Sequence, residues 1–320
     1  MVSRTYGELV MHKAGVTSVV FPLLVASSSL FGQSPGQPGD RTIVTIQPAR
    51  ALTSYGGSDP WVSPDGRSVV FSRGIDVSPQ GKRQLWTVPF QGGDGLRLTP
   101  EDFPYDATRP SWSPDGRLIA FRAVTSSPGI WLISASGADL TDLRPLIDDP
   151  VRQKSDGYPR WFRDGRRMLI TRDVPGKESD VWMIDLDTRM VRQLTSHPAL
   201  DGASTISPDG SHIAFPSERS GQRNIWIMPL AEGEAGARQF TMDGGRGPAW
   251  SPDGGWIAYG CPIASTHYAL CLKAVAGGPV IQVTDGKAND FNPNWAPDGK
   301  SIVVSQISGL AVIDVATIVK

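Results

Sequence analysis

The tetrapeptide Ser-Pro-Asp-Gly occurs four times, at Ser63–Gly66, Ser113–Gly116, Ser207–Gly210 and Ser251–Gly254. Two worn copies, Phe162-Arg-Asp-Gly and Ala296-Pro-Asp-Gly, keep the rhythm. The turn aspartates Asp65, Asp115, Asp164, Asp209, Asp253 and Asp298 stand 50, 49, 45, 44 and 45 residues apart. Self-similarity at that period marks a propeller or a solenoid, built of units that cannot bury their apolar faces alone. Each copy makes a tight turn for three separate reasons. Pro fixes φ at the first corner, Asp bonds its own backbone, and Gly accepts positive φ at the exit. Such turns join antiparallel strands.

The fullest copy runs from Arg109 to Arg122. Pro110-Ser-Trp112 precedes its turn as a short strand, and Leu118-Ile-Ala-Phe121 follows as an apolar run of strand length. Ile130-Trp-Leu-Ile133 reads as a third strand and Asp142–Ile147 as an outer one. The other copies carry matching runs, and their fourth strands end in Thr99, Thr195, Thr241 and Thr284. The strands are apolar on both faces, which suits blades covered on both sides by neighbours. The last repeat stops soon after Val315 with no room for a fourth strand, while Thr42–Ile46 and Ala49–Thr53 precede the first repeat. That segment is expected to complete the sixth blade and remove an open sheet edge. The expected fold is all-β: a single six-bladed β-propeller of four-stranded antiparallel blades over 42–320.

Residues 14–39 carry no charge, and Val16–Leu30 is mostly apolar before the small residues Ala26-Ser-Ser-Ser29. This pattern predicts a secretory signal over 1–32 and a linker over 33–41. A start at Met11 gives the more ordinary Met-His-Lys leader. A retained anchor is the alternative, although the run is short for a span. No cysteine follows it to take a lipid. The chain is therefore expected to be extracytoplasmic, periplasmic or secreted, and monomeric, with no stable span after cleavage. A net charge of −1 offers nothing to attract nucleic acid. Cys261 and Cys271 sit on the two strands of one expected hairpin, and both a disulfide and a pair of buried thiols remain open. With no histidine partner nearby they do not make a zinc site.

Chemistry is expected where loops enter the innermost strands. These loops carry Tyr55 and Asp59; Tyr105, Asp106 and Arg109; Asp156, Tyr158 and Arg160; Asp201; Arg246; and Asn289, Asp290 and Asn292. Mixed Tyr, Arg and Asp suits a binding face. The recurring acids Asp106, Asp156, Asp201 and Asp290 have two readings, as ligand contacts or as caps on turn amides. Two of them across a sugar pocket would make a glycosidase. Calcium on these aspartate- and carbonyl-rich loops is a candidate cofactor. After the leader only His197, His212 and His267 occur, too scattered for a histidine metal site. Trp86, Trp131, Trp182 and Trp226 recur at one third-strand position and are expected to pack between blades.

The Trp-Ser-Pro-Asp-Gly-Arg-x-Ile-Ala-Phe block, the Ile-Trp third strand and the Gln-Leu-Thr ending resemble the WD-like repeats of the TolB family. The resemblance covers Thr42–Lys320. It implies a six-bladed propeller in the cell envelope acting as a docking platform for an envelope protein or peptide, not as an enzyme. The chain is expected to depart from that family in lacking the N-terminal α/β domain, the expected leader passing almost directly into the propeller. The same repeat also resembles the propellers of prolyl oligopeptidase-like peptidases, whose nucleophile elbow reads Gly-x-Ser-x-Gly. In this sequence that pentapeptide occurs once, as Gly32-Gln-Ser-Pro-Gly36, at the junction of the expected leader and linker and outside the repeats. The competing expectation is an enzyme acting on a carbohydrate or small ester at the same face.

Overall fold

In a computed structural model the repeated turn has one geometry. The Ser63 hydroxyl donates to Asp65 (2.6 Å), Asp65 accepts the Arg67 amide (3.0 Å), and Ser63 Oγ accepts the Ser68 amide (2.9 Å). The same three bonds recur at Ser113, Ser207 and Ser251. The serine hydroxyl, and then the backbone amide, hold these carboxyls below their usual range, Asp209 at about 2. These aspartates are turn residues.

The structure describes residues 41–43, 49–74, 82–125, 129–137, 139–142, 155–316 and 318–319. The expected leader and most of the linker lie outside them, as do 44–46 of the closing segment and 143–147 of the expected blade-two outer strand.

Six sheets follow in chain order. The inner strands are Ser58–Val62, Asp106–Trp112, Ser155–Trp161, Thr205–Ile206, Arg246–Trp250 and Phe291–Trp295. Each pairs outward with a second, third and fourth strand, all antiparallel. Blade four has the shortest inner strand. There Pro-x-Trp has decayed to Ser204-Thr-Ile206, and a bridge between Asp201 and Ser217 extends the pairing.

The sixth blade closes as expected. Arg50–Ala51 pairs antiparallel with Val312 and Ala311, Leu52 donates to Leu310 O (2.8 Å), and Thr53 Oγ1 accepts the Leu310 amide (3.0 Å). The earlier part of the segment goes elsewhere. Arg41–Ile43 runs parallel to Val280–Gln282 and makes a fifth strand of blade five. One chain segment thus covers the outer edges of two adjacent blades; a parallel addition needs no hairpin turn.

Apolar side chains gather in six clusters, one at each seam between neighbouring blades. At the seam of blades six and one, Val303, Leu310 and Val312 meet Val69 and Phe71. Each such buried side chain stabilises by roughly 1.5–3 kcal/mol. Trp86, Trp131, Trp182 and Trp226 pack against these seams.

The recurring threonine is a fastener. Thr195 Oγ1 accepts the Val181 amide and donates to Asp180. Thr241 does the same with Ile225 and Asn224, and Thr99 donates to Gln84. Cys261 and Cys271 are joined as a disulfide, with Cα atoms 5.7 Å apart and both side chains buried. Among the described residues no helix is long and apolar enough to cross a membrane.

Candidate binding site at the channel mouth

The inner strands neighbour one another around the ring. In five of them the residue before proline adopts left-handed φ: Asp59 (56°), Arg109 (56°), Tyr158 (51°), Gly247 (55°) and Asn292 (46°). Blade four lacks the proline and has Ala203 at 21°. In those five blades the ladder register slips at this point, as a β-bulge does. For a residue other than glycine this conformation costs about 1–2 kcal/mol, and such strain concentrates at functional sites. The bulge leaves an amide unpaired, and the preceding blade supplies its acceptor. Arg109 N donates to Ser72 Oγ (3.2 Å) and Asp59 N to Ser305 Oγ (3.1 Å).

The bulge residues touch around the ring. Asn292 Nδ2 donates to Asp59 (2.9 Å), and the Arg109 guanidinium lies 3.7 Å over the Tyr158 ring. A Cβ on Gly247 would sit 3.2 Å from Asn292 Oδ1. Arg109, Tyr158, Gly247 and Asn292 line a cavity of about 540 Å³ to which all six blades contribute. A second cavity of about 350 Å³ adjoins it, sharing Arg109, Arg122, Tyr158 and Asn292 and adding Asp59 and Asp106. Between non-adjacent blades, Arg160 of blade three stacks 4.3 Å over Trp61 of blade one, so it reaches across the channel. Although part of its surface is open, desolvation pulls Arg160 down to about 10, opposed by Asp59.

Of the remaining expected site residues, Arg246 and Asp106 reach the cavities, and the others are engaged within the fold. Asp156 is buried in a two-pronged ion pair with Arg172 (2.7 and 3.1 Å). Asp201, wholly buried, accepts from Arg219 (2.5 Å). Asp290 accepts from Thr284 (2.5 Å) and Gln306 (2.8 Å). Desolvation raises both Asp201 and Asp290 above the usual carboxylate range. Asn289 accepts the Tyr268 amide (2.8 Å). Tyr55 stacks on Phe71 under the Arg73 guanidinium, and Tyr105 packs edge-on against Phe103 and Trp131. Asp106 caps the Arg83 amide at the second cavity (2.7 Å). Arg246 lines the main cavity and donates to Tyr268 (2.7 Å).

Sequence reasoning missed Arg122, Asp173, Leu200, Phe291 and Ile307, all of which line the main cavity. For Arg122 a signal existed. Register aligns it with Ser72, Thr171, Pro216, Gly260 and Ser305, one step past the second-strand position that faces the third-strand Trp. It is the sole charge among those six. Among the described residues Asp173 is the one carboxylate lining the main cavity, and no three of His, Cys, Asp and Glu converge.

Six antiparallel blades closed in a ring around a common mouth define a six-bladed β-propeller. The chain matches the TolB β-propeller domain over residues 151–312, just over half of its length, and belongs to that family. It is 30% identical over 196 residues to a Bacillus subtilis protein called Uncharacterized peptidase YuxL, which covers 55% of this chain and 26% of that protein. It is 28% identical over 170 residues to the Protein TolB homolog of Chlorobium luteolum, covering 52% and 36%. The chain thus spans well under half the length of either relative. TolB from Acinetobacter baumannii has the same fold, with a TM-score of 0.64 at 20% identity over 78% of this chain and 64% of that one.

Proposed function

We propose that this chain is an exported TolB-like propeller without catalytic activity, which binds a protein or peptide at its channel mouth. The observation that carries the reading is the mouth itself. Among the described residues, six blades contribute to one open cavity lined by four arginines and one carboxylate, Asp173, while Asp59 and Asp106 of the adjoining cavity are engaged by Asn292 and the Arg83 amide. A hydrolase working by paired acids needs two carboxylates facing one substrate. A docking platform needs breadth, anchors and a rigid scaffold. The likeness to TolB proteins supports an envelope role, and the leader-like sequence supports export. The peptidase-named relative supports the other reading, an enzyme at the same face. Only about a quarter of that relative is matched, and the one Gly-x-Ser-x-Gly of this chain, Gly32–Gly36, lies outside the propeller repeats.

The test is retention of envelope proteins on the immobilised full chain, in parallel with Arg109→Ala and Tyr158→Ala. A protein held by the wild type and released by both variants fits docking at the mouth. Equal retention by all three places the interface elsewhere. Turnover of p-nitrophenyl esters or glycosides that Asp173→Asn abolishes would replace docking by the enzyme reading.

A further inference from the structure

We infer that the occupant of this mouth is an acidic peptide segment, one that brings at least two carboxylates between opposed arginine poles. The inference rests on the docking reading and adds the chemistry of the partner.

The chain as a whole carries a charge of −1, yet among the described residues the main cavity is lined by Arg109, Arg122, Arg223 and Arg246 against Asp173, and the acids of the adjoining cavity, Asp59 and Asp106, already accept from Asn292 and the Arg83 amide. Arg223 is spoken for by Glu218 (2.6 Å). The other three have no ion pair among the described residues. The Arg109 guanidinium lies over the Tyr158 face. Arg122 donates to Ser155 (3.0 Å) and Arg246 to Tyr268 (2.7 Å), and each leaves a buried Nε without an acceptor. Arg122 is held below its usual range by desolvation first and by the neighbouring Arg109 next. Two cations pushed together and left with idle donors are an unfavourable arrangement that an anion relieves.

The shape of the anion follows from placement. Arg109 and Arg122 belong to blade two and Arg246 to blade five, opposite one another in a ring of six. Between the poles the lining turns apolar, with Leu200 and Pro216 of blade four and Phe291 and Ile307 of blade six. Guanidinium forks match carboxylates two bonds at a time. A segment with acids flanking an apolar side chain therefore fills both poles and the space between. The cavity, about 540 Å³ with a further 350 Å³ adjoining, lies in the range of small-ligand sites and suits a few residues of extended chain.

The experiment uses the full chain and acetylated, amidated tri- to pentapeptides with Glu at both ends around Leu, beside twins carrying Gln at both ends. Binding is read by calorimetry at low and high salt. At least one Glu peptide is expected to bind at least about tenfold more tightly than its Gln twin, and Arg109→Gln and Arg246→Gln each to weaken it at least about tenfold. Raising the salt should weaken it further. Equal binding of Glu and Gln peptides, still lost in Arg109→Gln, would overturn the acidic assignment and leave docking standing. No binding by any peptide would overturn the peptide occupant as well; docking itself would then rest on the retention experiment. Tighter binding of inorganic phosphate or a hyaluronan tetrasaccharide than of every Glu peptide would reassign the mouth to a phosphate or an acidic sugar.

Discussion

Asp180 opens the third strand of blade three, and its carboxylate is held far from its ordinary range. Desolvation, first, and the nearby Asp201 and Glu234 raise it from 3.8 to about 6, against hydrogen bonds from Thr195 and Gln193. A folded-state value above the unfolded one means that the protonated form belongs to the fold. The contribution to stability is fully present below about pH 4 and is lost as pH rises through about 6. A displacement of that size corresponds to at most about 3 kcal/mol. Gln193 beside it is exposed, so solvent screens the site, and about 1–2 kcal/mol is the figure to expect. Asp180→Asn tests this cleanly, because blade four already carries Asn224 at the equivalent place, accepting from Thr241. Urea unfolding of the wild type and Asp180→Asn at pH 4, 5.5, 7 and 8 should show nearly equal stability at pH 4. The variant should gain about 1–2 kcal/mol by pH 7, with a melting temperature higher by about 2–6 °C. A variant less stable than wild type at pH 7, or one whose difference does not change with pH, would refute the electrostatic account. The hydrogen bond to Thr195 would then outweigh the cost of burying the charge.

Asp156→Ala should cost about 3–5 kcal/mol, because it leaves Arg172 buried without its carboxylate, and the double change Asp156→Leu with Arg172→Met should recover most of that loss; thermal unfolding checks both. Thr53→Val removes the acceptor of the Leu310 amide at the ring closure and should cost about 1–3 kcal/mol, seen as a lower unfolding midpoint in urea. Calcium, the candidate cofactor of the loop aspartates, should shift the melting temperature no more than magnesium does at equal concentration, since the arginines at the mouth repel both; a calcium-specific rise would point to a site built on backbone carbonyls.

Most of the architecture could be read from the turns. A Ser-Pro-Asp-Gly copy fixes its own geometry through bonds that span five residues or fewer, so the sequence alone carries the information. The closing strand at Arg50–Ala51 was legible because one blade lacked a strand and one strand lacked a blade. The parallel pairing of Arg41–Ile43 was not, since nothing local distinguishes the edge of blade five from that of blade six. The site was half legible. Loop position alone selects Asp156 and Arg109 equally, and the difference lies in which partners each one meets in the folded ring. Arg172 neutralises the first, while the second lies over an aromatic face and, among the described residues, has no ion pair. The left-handed residue before proline was visible as a recurring X-Pro pair. That pair also fits an ordinary extended strand, so its bulge became apparent only from the slipped register.

The ring closure has a consequence for how the protein is made. Thr53 and Leu310, which fasten the sixth blade, are 257 residues apart. The closing strand therefore emerges from the ribosome long before the strand it must pair with exists. Until the last repeat is complete, blade one keeps the Val69 and Phe71 face of its sheet uncovered, because their partners Val303, Leu310 and Val312 are made last. That seam is the one a nascent chain exposes for longest. It is where a holding chaperone would find its grip, and where a stalled or truncated chain would stick to another copy.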